Sequence, residues 1–212
     1  MPVTINGDGS ITGLSVGGLG SGVVNQATLA NGAVGTTQLA DNSVTHAKTT
    51  GLQRRIVSSP ISLSGNGDIT HMLTTGVKKI ELIFENASSN SNSNMLLYLG
   101  DAGGTESSGY GYASGFHRAN GTGGGTNWTS SFETYGLDST DYQVYGTYKL
   151  YNPTGNIWVC QHSFWGSNAP NHEFWGVGYK TLSDTITKLN LASKNGQFDS
   201  GTVTVIETMG DD

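Results

Sequence analysis

Two hydrophobic rhythms divide the chain. Leu14, Leu19, Val24, Leu29, Val34, Leu39 and Val44 recur at five-residue intervals with little else apolar between them. On an α-helix a step of five turns about 500°, which scatters these side chains around the axis. On a strand an odd step sends alternate side chains to opposite faces. Neither element buries the ladder, so the unit reads as ten residues with a bend inside it, a repeat architecture. Thr36 or Thr37 is placed to cap a single helical turn over Gln38-Leu39-Ala40-Asp41, with Asn42 suited to end it. One turn is too short to stand alone, and one apolar residue in five closes no core within a chain. The missing partners are expected from other chains, most simply copies of this one around a symmetry axis. Ahead of the ladder, VTINGDGSITGL alternates around Asn6-Gly7-Asp8-Gly9, a hairpin signal.

The second rhythm has a period of two. VKKIELIF puts Ile80, Leu82 and Phe84 on one face and Lys79, Glu81 and Ile83 on the other. SNMLLYLG, YQVYGTYKLY, NIWVCQHSFWG, EFWGVGYKTL, ITKLNLAS and GTVTVIETM read as further strands, divided by Gly, Asn, Asp and Pro. With RRIVSS and DITHMLT the pattern predicts nine to eleven strands, no helix beyond a turn or two, and a jelly-roll-like β-sandwich. The expected organisation is all-β: a hairpin over 1–13, an elongated repetitive segment over 14–55, and a sandwich over 56–212.

Composition sharpens this division. All nineteen aromatic residues lie between Phe84 and Phe198, and aromatic side chains dominate cores. Thirty-two glycines and 12% charged residues mark a turn-rich chain kept in solution by Ser, Thr and Asn. The net charge of −6 divides into +1 over residues 1–55 and −7 over 56–212, so no basic patch points to nucleic acid. Cys160 stands alone, which excludes an intrachain disulfide and a CxxC motif. The opening MPVTING has no apolar h-region, so no secretory signal is expected, and no apolar run is long enough for membrane insertion.

The ladder ATLANGAVGTTQLADNSVTHAK resembles the Leu-Ala-x-x-x-Val repeats in the shafts of bacteriophage tail fibres. NGQFDSGTVTVIETMG is similar to the closing strand pair of β-sandwich tips in phage tail proteins, and MLLYLGDAGGTESSGYGYASG is similar to segments of such tips. The chain departs from that family in ending Met209-Gly210-Asp211-Asp212 rather than in a Tyr-Gly-Ile-like tail. The resemblance implies a homotrimeric fibre of the virion, made in the host cytoplasm. Its N-terminus would attach to the phage tail or an adaptor protein, and its tip would touch host surface polysaccharide or lipopolysaccharide. The seven ladder residues would line the trimeric shaft.

Candidate chemistry is sparse. Glu133, Asp138 and Asp141 lie close in sequence, and paired carboxylates cleave glycans, but YGLDSTDY reads as a polar connection. His117, His162 and His172 have no metal-ligand spacing, so neither metal nor cofactor is expected, and Cys160 reads as a small core residue. GTGGGT has no following Lys-Ser/Thr and reads as a flexible loop. Sugar recognition needs an aromatic face beside hydroxyl-binding groups. Two segments offer this: Tyr110, Tyr112, His117, Arg118 and Trp128 around glycine-rich loops, and Trp165, Asn168, His172 and Trp175. Tyr112 and Trp128 are the residues expected to be exposed. The reading is a non-enzymatic binding protein. Its rivals are a glycan-depolymerising fibre and a lectin-like bacterial surface protein.

Overall fold

The computed structural model describes residues 4–5, 7, 11–12, 34, 39, 54–135, 143–167 and 172–210. The chain divides into two units, Met1–Thr50 and Gly51–Asp212, five residues before the boundary expected from composition. In the first unit β1 (Thr4–Ile5) pairs antiparallel with β2 (Ile11–Thr12), Ile5 opposite Ile11, as the Asn-Gly-rich hairpin signal requires. Of the ladder, Val34 and Leu39 are 47% and 43% exposed. Leu14, Leu19, Val24, Leu29 and Val44 lie outside the described residues, as do the helical turn and extended segment expected around Leu39.

The second unit is all-β, with no helix among the described residues. Its strands are β3 (Arg55–Val57), β4 (Ile61–Ser62), β5 (Asp68–Met72), β6 (Val77–Ser89), β7 (Met95–Asp101), β8 (Gly104–Thr105) and β9 (Tyr110–Arg118). They continue with β10 (Gly123–Trp128), β11 (Phe132–Glu133), β12 (Gln143–Thr154), β13 (Ile157–Ser167), β14 (His172–Thr181), β15 (Lys188–Ser193) and β16 (Phe198–Met209). A large antiparallel sheet runs β10-β9-β14-β13-β12-β6-β16-β3, with β4 also on β16; a small one runs β11-β7-β15-β5, with β8 on β7.

This corrects two expectations. The sheets hold nine and five strands, and β12, β13 and β14 are consecutive neighbours, unlike the eight-stranded double Greek key of a jelly roll. The stretch read as glycine-rich loops is the hairpin β9–β10, turning at Asn120-Gly121. There Gly121 has φ +85° and Arg118 N–H donates to Thr122 O at 2.8 Å. Glycine lowers strand propensity when read alone, but ladder pairing overrides it here, β9 with β14 and β10 with β9.

The two inner faces meet in one core. β13 alternates without a break: Trp158, Cys160, His162 and Phe164 face inward and are buried, while Ile157, Val159, Gln161, Ser163 and Trp165 face outward. Ile80, Leu82 and Phe84 of β6 join the inward set, the face predicted for them. From the small sheet come Leu97, Leu99, Leu189, Leu191 and Phe132. Phe132 links the layers, edge-on to Tyr110 at 4.9 Å and to Tyr112 at 5.0 Å between ring centroids. Tyr148 Oη donates to Phe132 O and Tyr110 Oη accepts from Leu99 N–H at 2.9 Å, so the sheets are joined by polar contacts as well as packing. Asn86, the one non-glycine at positive φ among the described residues (55°), interrupts the register of β6 with both neighbours. This is a β-bulge, fixed by Tyr145 Oη donating to Asn86 Oδ1 at 2.9 Å and Ser200 Oγ to Asn86 O at 2.9 Å.

Candidate functional site

Strand register gives the second unit two ends. Arg55, Thr208, Lys79, Tyr151, Val159, Tyr179 and Gly111 face one another in a row across the large sheet. Arg54 and Arg55 bring the chain in beside this row, which marks the proximal end. At the distal end Gln143 pairs with Ser167 and His172 with Arg118. From Tyr179 to His172 the sheet rises roughly 23 Å at ~3.3 Å per residue. The β9–β10 turn and the β12–β13–β14 ends nearest it lie at the distal end, where loops on a rigid scaffold commonly carry binding.

The last outward row before those loops is Tyr145–Trp165–Glu173–His117–Gly123. Neighbouring side chains on such a row stand about 5 Å apart at Cβ. Trp165 is 44% exposed, His117 and Glu173 are exposed, and the Tyr145 and Trp165 rings approach to 6.2 Å. An aromatic face, a carboxylate and an imidazole therefore sit side by side. That set can stack on a sugar ring and exchange hydrogen bonds with its hydroxyls.

The residues singled out from sequence separate by strand parity. His117, Trp165 and Trp175 face outward. Tyr110 and Tyr112 are buried in the core, contrary to the exposure expected for Tyr112. Burial pushes both phenols well above the usual tyrosine range. Tyr112 Oη lies 2.5 Å from His162 Nδ1. Trp128 is half-buried: its Nε1 donates to Ser114 Oγ at 2.7 Å and the Lys194 ammonium lies 4.6 Å from the ring centroid. His172 is fully buried, edge-on to Phe174. The Arg118 guanidinium stacks 4.9 Å from the Phe116 centroid. Asn168 lies outside the described residues.

Glu133 is buried, 2.5 Å from Lys194 Nζ and accepting from Asn94 Nδ2 at 2.8 Å. Asp138 and Asp141 lie outside the described residues. Among the described residues no three His, Cys, Asp or Glu side chains gather as metal ligands. Cys160 is buried, as its alternation with aromatics suggests.

Toward the proximal end the same outer face changes character. Trp175 covers Gly115 and Tyr179 covers Gly111: a Cβ on those glycines would come within 2.7 and 2.8 Å of the rings. Beside Trp175 a groove of about 360 Å³ is lined by Thr147, Lys149, Gln161, Ser163 and Val177. Lys149 pairs with Glu81 at 3.4 Å. Below this come Val159, Tyr151 and Ile157, all exposed. Sequence reasoning missed Glu173, Tyr145, Val177 and Tyr179. The available signal was parity, because NIWVCQHSFWG and EFWGVGYKTL carry bulky residues on both faces, more than one core needs.

Comparison with protein-family models, curated proteins and solved structures returns no match for this chain.

Proposed function

We propose that this chain is a structural virion protein, a homotrimeric phage tail fibre. In this reading residues 1–13 attach to the tail or an adaptor, 14–55 form the shaft, and the sandwich is a non-enzymatic tip that recognises host surface polysaccharide or lipopolysaccharide. One observation carries the recognition: the exposed row Trp165–Glu173–His117 at the distal end, remote from where the chain comes in. It offers a stacking ring beside a carboxylate that accepts and an imidazole that exchanges hydrogen bonds, on strands rather than on a mobile support. Val34 and Leu39 are exposed in the single chain, which leaves these two ladder side chains available for contact with other chains, as the trimeric reading requires. Three weak sites per fibre then act together, and linked weak sites gain avidity without any new contact. Glu133, the one described member of the candidate carboxylate set, is held by Lys194 and Asn94 away from solvent, which favours recognition over cleavage.

The test is binding of the full-length protein to arrayed bacterial surface polysaccharides. Trp165→Ala is expected to weaken binding about tenfold, the loss of one aromatic stacking contact, and Glu173→Gln and His117→Ala to weaken it as well. Asn190→Ala, on the small sheet, leaves binding unchanged. Wild-type protein that binds no polysaccharide, or a Trp165→Ala variant that binds as wild type does, refutes the assignment.

A further inference from the structure

The two outer faces of the sandwich differ in kind. On the small sheet the outward residues are mostly polar, Asp68, Thr70, Lys188, Asn190 and Tyr98, with Met72, 64% exposed, the apolar exception; Asn190 Nδ2 donates to Thr70 Oγ1 at 3.2 Å. On the large sheet, proximal to the Trp165 row, the outward face carries Trp175, Val177, Tyr179, Val159, Ile157 and Tyr151, each more than a third exposed, beside the polar Thr147, Lys149, Gln161 and Ser163. A solvent-facing sheet surface ordinarily carries polar residues opposite its core face. The aliphatic members, Val177 at 54% above all, have nothing to offer a sugar hydroxyl.

The extent of the surface is modest. Five strands from β9 to β6, about 4.8 Å apart, over seven residues of ~3.3 Å each, make roughly 550 Å². That is the footprint of the whole face, with its polar Thr147, Lys149, Gln161 and Ser163 included. Three such faces together cover about 1,650 Å², about 550 Å² for each of the three pairwise contacts, which is below the standard size of a specific interface, so the tip contact adds to the association of the shaft. Charge is scarce there although residues 56–212 carry −7: Lys149 is paired to Glu81, and the remaining charges sit at the margins. Interface cores are depleted of charge and enriched in Tyr and Trp. The rings of Trp175 and Tyr179 occupy the space above Gly115 and Gly111 of β9 and remain about half exposed.

We infer that this face is the contact between tips: the outer surface of β12, β13 and β14 proximal to the Trp165 row packs against the same surface of two further copies of this chain. The inference rests on the trimeric fibre reading and adds where the sandwiches touch. It leaves the distal row of Trp165 open to solvent and turns the polar small sheet outward.

Cysteine cross-linking in the full chain tests it, since Cys160 is buried and does not compete. Val177→Cys and, as a control on the small sheet, Asn190→Cys are treated with a short bis-maleimide, and the native mass is measured by light scattering. A three-chain mass with covalent linkage at position 177 and none at 190 is the expected result. A three-chain mass without linkage at 177, or with equal linkage at both positions, overturns the inference and leaves the trimer standing. A single-chain mass at micromolar concentration overturns both.

Discussion

His162 makes the fold sensitive to acid in a way that can be calculated. Its ring is buried among Tyr112, Tyr148, Phe164 and Cys160, with Nδ1 beside Tyr112 Oη and with Nε2 buried and unpartnered. Burial lowers its pKa to about 3, against ~6.5 for an imidazole in an unfolded chain. The neighbouring Tyr112, Tyr148 and Cys160 are held above their usual values by burial and stay neutral in acid.

Above pH 6.5 neither the folded nor the unfolded chain protonates this ring, and it contributes no pH dependence. Between pH 6.5 and 3 the unfolded chain binds a proton that the folded chain refuses, so stability falls as pH falls. At ~1.4 kcal/mol per pH unit the loss is about 2 kcal/mol at pH 5 and about 5 kcal/mol by pH 3. The assay is urea unfolding at fixed protein concentration, at pH 7.5 and 5.0, for wild type and His162→Gln. Glutamine can still accept from Tyr112, so the variant is expected to fold with lower stability at pH 7.5. Its further loss on acidification is expected to be about 2 kcal/mol smaller than that of wild type. All other titrating groups are common to both chains and cancel in the difference. An equal acid loss in the two proteins would mean that the ring takes up its proton inside the fold, and the reasoning would fail.

Two further outcomes follow from backbone and charge. Gly201 has φ +92°, and a Cβ there would meet Asn86 O at 2.4 Å and Ala87 Cα at 2.6 Å; Gly201→Ala is expected to cost about 3 kcal/mol or more, read as a fall in Tm of roughly 10 °C. Lys194→Met strands the buried Glu133 carboxylate with Asn94 alone. Because Lys194 is 39% exposed, the expected cost is about 2 kcal/mol rather than that of a fully buried pair, and the Glu133→Gln/Lys194→Met double variant should recover part of it in urea denaturation.

Much of the sandwich was legible in the chain because period-two alternation reports directly on which side chains a sheet buries. VKKIELIF and GTVTVIETM are the clear cases. Two things escaped it. The β9–β10 hairpin was hidden by glycines: those of β9 are held by pairing with β14 and covered by the rings of Trp175 and Tyr179, and Gly123–Gly125 of β10 are held by pairing with β9. The site was grouped by segment, whereas a strand sends neighbours to opposite sides. Tyr112 and Ala113, or Phe116 and His117, are one residue apart and face different worlds. Glu173 became visible only when register set it between Trp165 and His117.

The turn at Asn120-Gly121 has one more implication. It is exposed, closes on itself through Arg118 and Thr122, and its Asn120 Oδ1 accepts from Thr122 N–H at 3.0 Å. Lengthening such a loop costs only about 0.6 kcal/mol for each doubling, while the strands that hold it keep their register. The distal end can therefore absorb insertions and new side chains at almost no expense to the sandwich beneath, a latitude in sequence that the tightly packed layers on either side of Phe132 do not have.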